Sequence, residues 1–539
     1  MTAKKNTRKN AFKLILPALI LFSLFLFPSN GFAYESSLKF KLKPGPYAVG
    51  FKMVNNYDYS RTYYSTYDIT GKKVTEKARP IQTSIWYPAD IEKAKNAPRM
   101  RMADYALLMA QELGCVELTD AVKRETMTTF HLFFSTPAAK RVELEVITRA
   151  VRDAEPAEGS FPLVIYGASI NCVSFENSDL FEHLAGHGYI VVSSPCVGTT
   201  TRYLDANLVG TETQARDILF LLGYMKDFPG VDYSKIAVMG FSWGGMSNVL
   251  AAMRDTRIDA VICLDGSVAY NKYFDEFFTK SIYYNIDNIT MPLLFLRSKK
   301  IPDEIMKKYG AQVQDSVKFY DRLKYSDAYF IRFHHLMHGD FCSTFLKFMD
   351  YKSSDNLESS RDEINRSYNL MSKYVHKFLD ATIKGDGEAL KFMSNTPRQN
   401  GDEGMVTKFS KKALKKAPDF GEFAFKVKNA GFDKIAAVYE EIKKEFPEYK
   451  LSEDRLIDLA YKMFARQQAE EVFLLLKFTL TIHPKSHYAY YGLGELYAIK
   501  GDKEAAVKAL EKCLELSPRF MKAQKKLEEL KGKKSPAKK

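Results

Sequence analysis

At 539 residues the chain is too long for one hydrophobic core, so two or more domains are expected. Its formal charge of +14 sits mainly at the ends: Lys4, Lys5, Arg8, Lys9 and Lys13 precede the first domain, and Lys531, Lys533, Lys534, Lys538 and Lys539 close the chain. The remaining body carries only +4, which argues against a basic nucleic-acid-binding face, and six cysteines are too few for a dense disulfide framework.

The five N-terminal cations are followed by a nearly continuous apolar run, Leu14 to Phe27, and then by Gly31 and Ala33 at small-residue positions. This is the pattern of a secretory signal over residues 1–33 with cleavage after Ala33. The run contains Pro17 and is shorter than the roughly 20 residues of a spanning helix. The mature protein is therefore expected to be exported, periplasmic or secreted, without a stable membrane anchor.

From about Tyr47 to Leu336 the sequence alternates β-rich runs with helical patterns, as an α/β domain does, and that domain is expected to span residues 34–395. Eight strands are expected: Ala48 to Val54, Ile81 to Tyr87, Leu163 to Tyr166, Tyr189 to Ser193, Ile236 to Met239, Ala260 to Leu264, Leu293 to Leu296 and Tyr329 to Phe333. The middle ones are uninterrupted apolar runs, the mark of mostly parallel strands covered on both faces. An insert at residues 99–159 has helical patterning in Tyr105 to Leu113 and Glu143 to Arg152; it either folds over an active-site rim as a lid or extends the helical layer. Ser354 to Ile383 is an amphipathic helix that closes the domain, and residues 396–415 are expected to be a linker. Cys172 and Cys196 each follow a strand expected to neighbour the other, while Cys263 and Cys513 fit as small buried hydrophobes.

Residues 416–531 contain a repeat, before a basic tail at 532–539. Ser452 to Lys485 and Ser486 to Arg519 are in register with a period of 34 residues, Pro484 matching Pro518. Ala489, Gly492, Leu493, Tyr497, Gly501, Ala505, Ala506, Ala509, Leu510 and Pro518 occupy the small and bulky packing positions of a tetratricopeptide repeat, which this segment resembles. Phe420 to Tyr449 is a degenerate earlier unit, giving the three that a continuous stacked core needs. Such repeats serve partner binding or domain packing.

The sharpest chemical signal is Gly240-Phe241-Ser242-Trp243-Gly244-Gly245, between a strand and a helix. So tight a turn presents a serine nucleophile, and Gly240 and Gly244 avoid collisions that side chains would cause. The helix start directs its dipole at Ser242, and the Trp243 amide can donate to an oxyanion. A serine hydroxyl needs a base held by an acid, in chain order Ser, Asp, His. His334, His335 and His338 follow the last strand; His338, beside Gly339, is the favoured base. Asp265 and Asp303 compete as the acid, each following a strand. The loop after the third strand supplies the second oxyanion donor, for which the Ser169 amide is the matching position.

Taken together, Gly45-Pro46-Tyr47-Ala48-Val49-Gly50, Arg79-Pro80-Ile81-Gln82, Ile85-Trp86-Tyr87-Pro88, the elbow Gly240 to Gly244, Leu264-Asp265 and His338-Gly339-Asp340-Phe341 resemble the platelet-activating factor acetylhydrolase branch of the dienelactone hydrolase-related α/β-hydrolases. The resemblance spans Gly45 to Ile383 and implies the acid directly after the strand that follows the nucleophile helix, hence Asp265, with Asp303 in reserve. It departs from the family at Gly167-Ala168, where His-Gly is usual. A serine nucleophile, in place of the cysteine of dienelactone hydrolases, points to ester substrates.

The expectation is an exported serine hydrolase that cleaves short acyl esters, acetyl foremost, with no cofactor or metal. No Cys or His set shows ligand spacing apart from His334, His335 and His338, which lack a carboxylate-rich partner segment. A peptidase with the same triad, and a silent scaffold acting through its repeats, are the alternatives.

Overall fold

The computed structural model describes residues 36–63, 78–134, 138–300, 317–349 and 359–532. The expected signal segment, the reserve acid Asp303 and residues 533–539 of the basic tail lie outside the described residues. The chain divides into two compact units, residues 1–413 and 414–539.

The first unit is built on an eleven-stranded sheet in the order β11-β10-β9-β8-β7-β5-β6-β2-β1-β4-β3. Its strands are β1 (Ala48–Thr62), β2 (Ala78–Ala89), β3 (Arg99–Arg101), β4 (Ile147–Arg152), β5 (Phe161–Gly167), β6 (Ile190–Ser194), β7 (Val231–Phe241), β8 (Ala260–Leu264), β9 (Leu293–Arg297), β10 (Ala328–Phe333) and β11 (Val406–Lys411). All eight expected strands are present. β5 to β10 are mutually parallel, whereas β1, β2 and β6 pair antiparallel. Every residue of β5 and β8 is buried, so their continuous apolar runs follow from helices covering both faces. The helices that position the site are α1 (Asp120–Phe133), α2 (Ser178–Gly186), α3 (Leu208–Tyr224), α4 (Trp243–Ala252), α5 (Ser343–Phe348) and α6 (Arg361–Leu379). This is the α/β-hydrolase arrangement, a mostly parallel sheet between helical layers.

Three strands beyond the expected eight come from segments assigned other roles. Ile147–Arg152, expected as part of a helix, is β4, parallel to β1, and β3 pairs with it, so the 99–159 insert widens the sheet at one edge. Phe130 of its helix α1 and the C-capping Phe134 pack against Phe348 of α5, with ring centroids at 5.0 and 6.2 Å, which buttresses the segment after the His338 loop. The expected linker at 396–415 instead contains β11, paired antiparallel with β10 from Phe333↔Val406 to Ala328↔Lys411. The closing helix begins at Arg361, where Ser360 and Glu363 form a capping box, and buries Tyr368, Met371, Tyr374, Val375 and Phe378 along one face.

All six cysteines are free thiols, and only Cys115 is exposed. Cys172 and Cys196 are neighbours, the Cys196 amide donating to the Cys172 carbonyl at 3.0 Å.

The second unit is all-helical: α7 (Phe420–Ala430), α8 (Ile435–Glu445), α9 (Glu453–Phe464), α10 (Ala469–Ile482), α11 (His487–Ile499), α12 (Lys503–Leu516) and a terminal α13 (Met521–Leu530). The first six form three helix pairs with their own apolar core. The small residues of the repeat are places of close approach: a Cβ on Gly492 would lie 2.8 Å from Leu476, and one on Gly494 2.8 Å from Leu510. Among the described residues no helix is long and apolar enough to cross a membrane.

Candidate active site

Strand order reverses around β5, with β6 on one side and β7 to β10 on the other, and ligand crevices form at the carboxyl ends of strands at such a point. Ser242 stands there, between β7 and α4, with φ 53° and ψ −117°. That backbone is outside the regions an L-residue prefers and is held by its surroundings: the Ser242 amide donates to Leu264 at 3.1 Å, and its carbonyl accepts from Gly245 at 3.1 Å and Ser267 at 2.7 Å. A Cβ on Gly244 would overlap the Gly167 carbonyl oxygen, and one on Gly240 would lie 2.5 Å from the Gly244 carbonyl carbon. Glycine at both positions is therefore a steric requirement of the turn.

Three side chains far apart in the sequence meet at this edge. His338, at the end of the loop leaving β10, has Nε2 2.9 Å from Ser242 Oγ and Nδ1 2.6 Å from Asp265 Oδ2. Asp265, one residue past β8, is fully buried and left-handed, with φ 44°. Its Oδ1 accepts from the Arg297 guanidinium at the end of β9 and from the Ser298 amide at 3.0 Å. Burial alone would raise the Asp265 carboxyl, but Arg297 and the His338 contact outweigh it and hold the group well below the ordinary carboxylate range. An ionised carboxylate only accepts hydrogen bonds, so His338 Nδ1 carries the hydrogen and Nε2 presents a lone pair to the serine hydroxyl.

The other two histidines of the cluster face elsewhere. His334 contacts the Gly404 carbonyl at 2.9 Å and Thr407 Oγ1 at 2.8 Å, beside β11. His335 lies 3.2 Å from Ser359 Oγ. Aromatic rings line the approach: Phe241 and Tyr270 stand 4.9 and 6.2 Å from the His338 ring, and Tyr273 lies 5.7 Å from Trp243.

The oxyanion side corrects one expectation. The Ser169 amide donates to Glu176 Oε1 at 2.8 Å, and the Ser169 hydroxyl to Oε2 at 2.6 Å, so that amide is already occupied. The physical reason is the buried Glu176 beneath the loop, which also accepts from Tyr166 at 2.7 Å and needs every donor it has. Among the described residues the next amide, that of Ile170, has no acceptor, and neither has that of Trp243 at the first position of α4.

Arg297, Glu176 and Asn177 complete the site and were absent from the sequence-based set. Asn177 uses its whole amide group: Nδ2 donates to Tyr166 Oη and the Phe341 carbonyl, each at 2.9 Å, and Oδ1 accepts from the Ser343 amide and Tyr368 Oη, each at 2.9 Å. It thereby ties the end of β5, the His338 loop and α6 together. Glu176 and Asn177 stand in a mixed polar segment, Val-Ser-Phe-Glu-Asn-Ser-Asp-Leu from Val173 to Leu180, and Arg297 is the polar end of an apolar strand, so none of the three carries a sequence signal of its own.

Comparison with known proteins returned three findings. The tetratricopeptide repeat family matches residues 487–520. No curated protein matches the chain. Among solved structures, a ferulic acid esterase from Streptomyces cinnamoneus is similar, with 20% sequence identity, a TM-score of 0.47, and coverage of 69% of this chain and 98% of that one.

Proposed function

We propose that the protein is a serine hydrolase of carboxylic esters that works through an acyl-enzyme. Ser242 Oγ attacks the ester carbonyl as His338 Nε2 takes its proton; the same imidazole then returns the proton to the departing alcohol. Water, activated by His338, attacks the acyl-serine, releasing the acid and restoring Ser242. Asp265 fixes the imidazole tautomer and stabilises the imidazolium, while the amides of Trp243 and Ile170 hold the oxyanion. The observation that carries this reading is the His338 ring within hydrogen-bond distance of both Ser242 and Asp265.

Acetyl and other short acyl esters are the favoured substrates, on the family resemblance of residues 45–383. Export follows from the signal pattern of residues 1–33. The helical repeats would serve a protein partner, for which the exposed rings of Tyr461, Phe464 and Tyr488 offer a surface. A fluorophosphonate probe and a series of nitrophenyl esters from acetyl upward test the activity. Labelling and hydrolysis should both vanish in Ser242→Ala, by about 10⁴-fold or more in kcat; a folded wild-type protein that neither labels nor hydrolyses any of the series is a scaffold instead.

A further inference from the structure

Three histidines outside the triad meet where α2 passes α6. His183 lies in α2 and His187 caps its C-terminus, four residues on and so on the same face, while His376 is in the last turn of α6. Because α2 runs back from β5 to the start of β6, this end of it lies at the sheet edge opposite Ser242. His183 Nε2 and His376 Nδ1 are 3.0 Å apart, and one ring nitrogen from each of the three lies within 4.8 Å of the others. The ring centroids are separated by only 4.2, 4.4 and 4.9 Å.

The surroundings decide which nitrogen of each ring is free. His187 Nδ1 lies 2.7 Å from the His183 carbonyl, which only accepts, so Nδ1 carries the hydrogen and Nε2 a lone pair. His376 Nε2 lies 3.2 Å from Asp380 Oδ2, which leaves Nδ1 as the lone pair. A carbonyl and a carboxylate behind two imidazoles are the supports that metal-binding histidines take. His183 is 3% exposed, and its Nδ1 has no hydrogen-bond partner. Its contact with His376 is thus a single shared hydrogen, and a metal ion in that gap would need the His183 hydrogen to move to Nδ1, with no net proton released.

We propose that His183 Nε2, His187 Nε2 and His376 Nδ1 bind a divalent transition ion of the zinc class, with the fourth position open to water, as a staple between α2 and α6. In a tetrahedral zinc site with bonds of about 2.0–2.1 Å, ligand nitrogens stand about 3.3 Å apart, so the His183–His376 pair is close to register as it stands. Lys384 and Arg149 add positive charge nearby, and Asp380, 3.3 Å from Lys384 Nζ, offsets it. Imidazole ligands suit zinc, copper and nickel ahead of magnesium or calcium.

Untagged full-length protein, loaded with zinc and dialysed, tests the site by elemental analysis, by the visible absorption of its cobalt form, and by melting with zinc against chelator. The expected result is one equivalent of zinc per chain, a Tm raised by the metal, and a tetrahedral cobalt spectrum. His187→Ala, at a half-exposed position, should lose all three while melting with chelator like the wild type, and Asp380→Asn should weaken zinc binding about 10- to 100-fold. Absence of zinc and of any Tm response in the wild type, or undiminished zinc in both His187→Ala and His376→Gln, would overturn the site. Fluorophosphonate labelling of Ser242 in the same samples reports on the hydrolase reading separately.

Discussion

In the proposed reaction the imidazole of His338 serves as a base only while Asp265 stays ionised, and Arg297, with the His338 contact, holds that fully buried carboxyl low. With Asp265 held low, its pairing stabilises the fold at every pH above the ordinary carboxylate value of about 3.9 and is lost only as pH falls toward the lowered value. Arg297→Met removes that cation and leaves burial unopposed except by His338 and the Ser298 amide. The Asp265 carboxyl should rise, so the acid limb of kcat/KM moves to higher pH, and stability should fall by roughly 3 kcal/mol because a buried charge loses its partner. A pH–rate profile and a melt that both match the wild type would show that Arg297 does neither. Asn177 makes a different demand. Truncation in Asn177→Ala leaves the Tyr166 and Tyr368 hydroxyls, the Phe341 carbonyl and the Ser343 amide each short of one bond. A loss of about 2–4 kcal/mol is expected by denaturant titration, with kcat reduced more than KM is raised, because the His338 loop loses its tether.

At the level of elements, legibility follows burial. β5 and β8 announce themselves because both faces are covered and every position must be apolar. β4 and β11 are edge-side strands with only one or two buried residues each, so Ile147–Arg152 carried enough charge to resemble a helix and Val406–Lys411 enough polarity to resemble a linker. The elbow was legible for a steric reason, since only glycine fits at Gly240 and Gly244. The second oxyanion amide was not, since a backbone N–H leaves no side-chain signature, and the Glu176 that occupies the Ser169 amide is visible only in three dimensions. The turn makes a sharp prediction. Gly244→Ala places a methyl on the Gly167 carbonyl, and β5 and α4 must separate to accept it. Overpacking of this kind costs about 1–3 kcal/mol, and because Trp243 and Ile170 flank the same contact, fluorophosphonate labelling should slow by at least about 10²-fold while far-ultraviolet circular dichroism stays native. Labelling at the wild-type rate would mean that the elbow tolerates a Cβ.

For the whole molecule the question is where the α/β unit ends, and sequence pattern and structure give different answers. Composition puts a boundary at residue 395; the fold puts it at 413, because β11 covers the edge of β10, the strand that delivers the His338 loop. Beyond the six-residue ladder, the His334 amide donates to the Met405 carbonyl at 2.9 Å, and Tyr374 of α6 donates to Asp402 at 3.0 Å. A chain ending at Ala413 keeps all of these, and the helical repeats have a separate core, so its kcat/KM on a short ester should stay within about twofold of the full chain. A chain ending at Asn395 exposes β10 as an open edge next to the His338 loop. It should melt roughly 5 °C or more below the 413-residue form, aggregate at lower concentration, and lose at least about tenfold in kcat/KM. Equal melting and equal rates for the two truncations would make β11 dispensable and return the boundary to the polar stretch where composition first puts it.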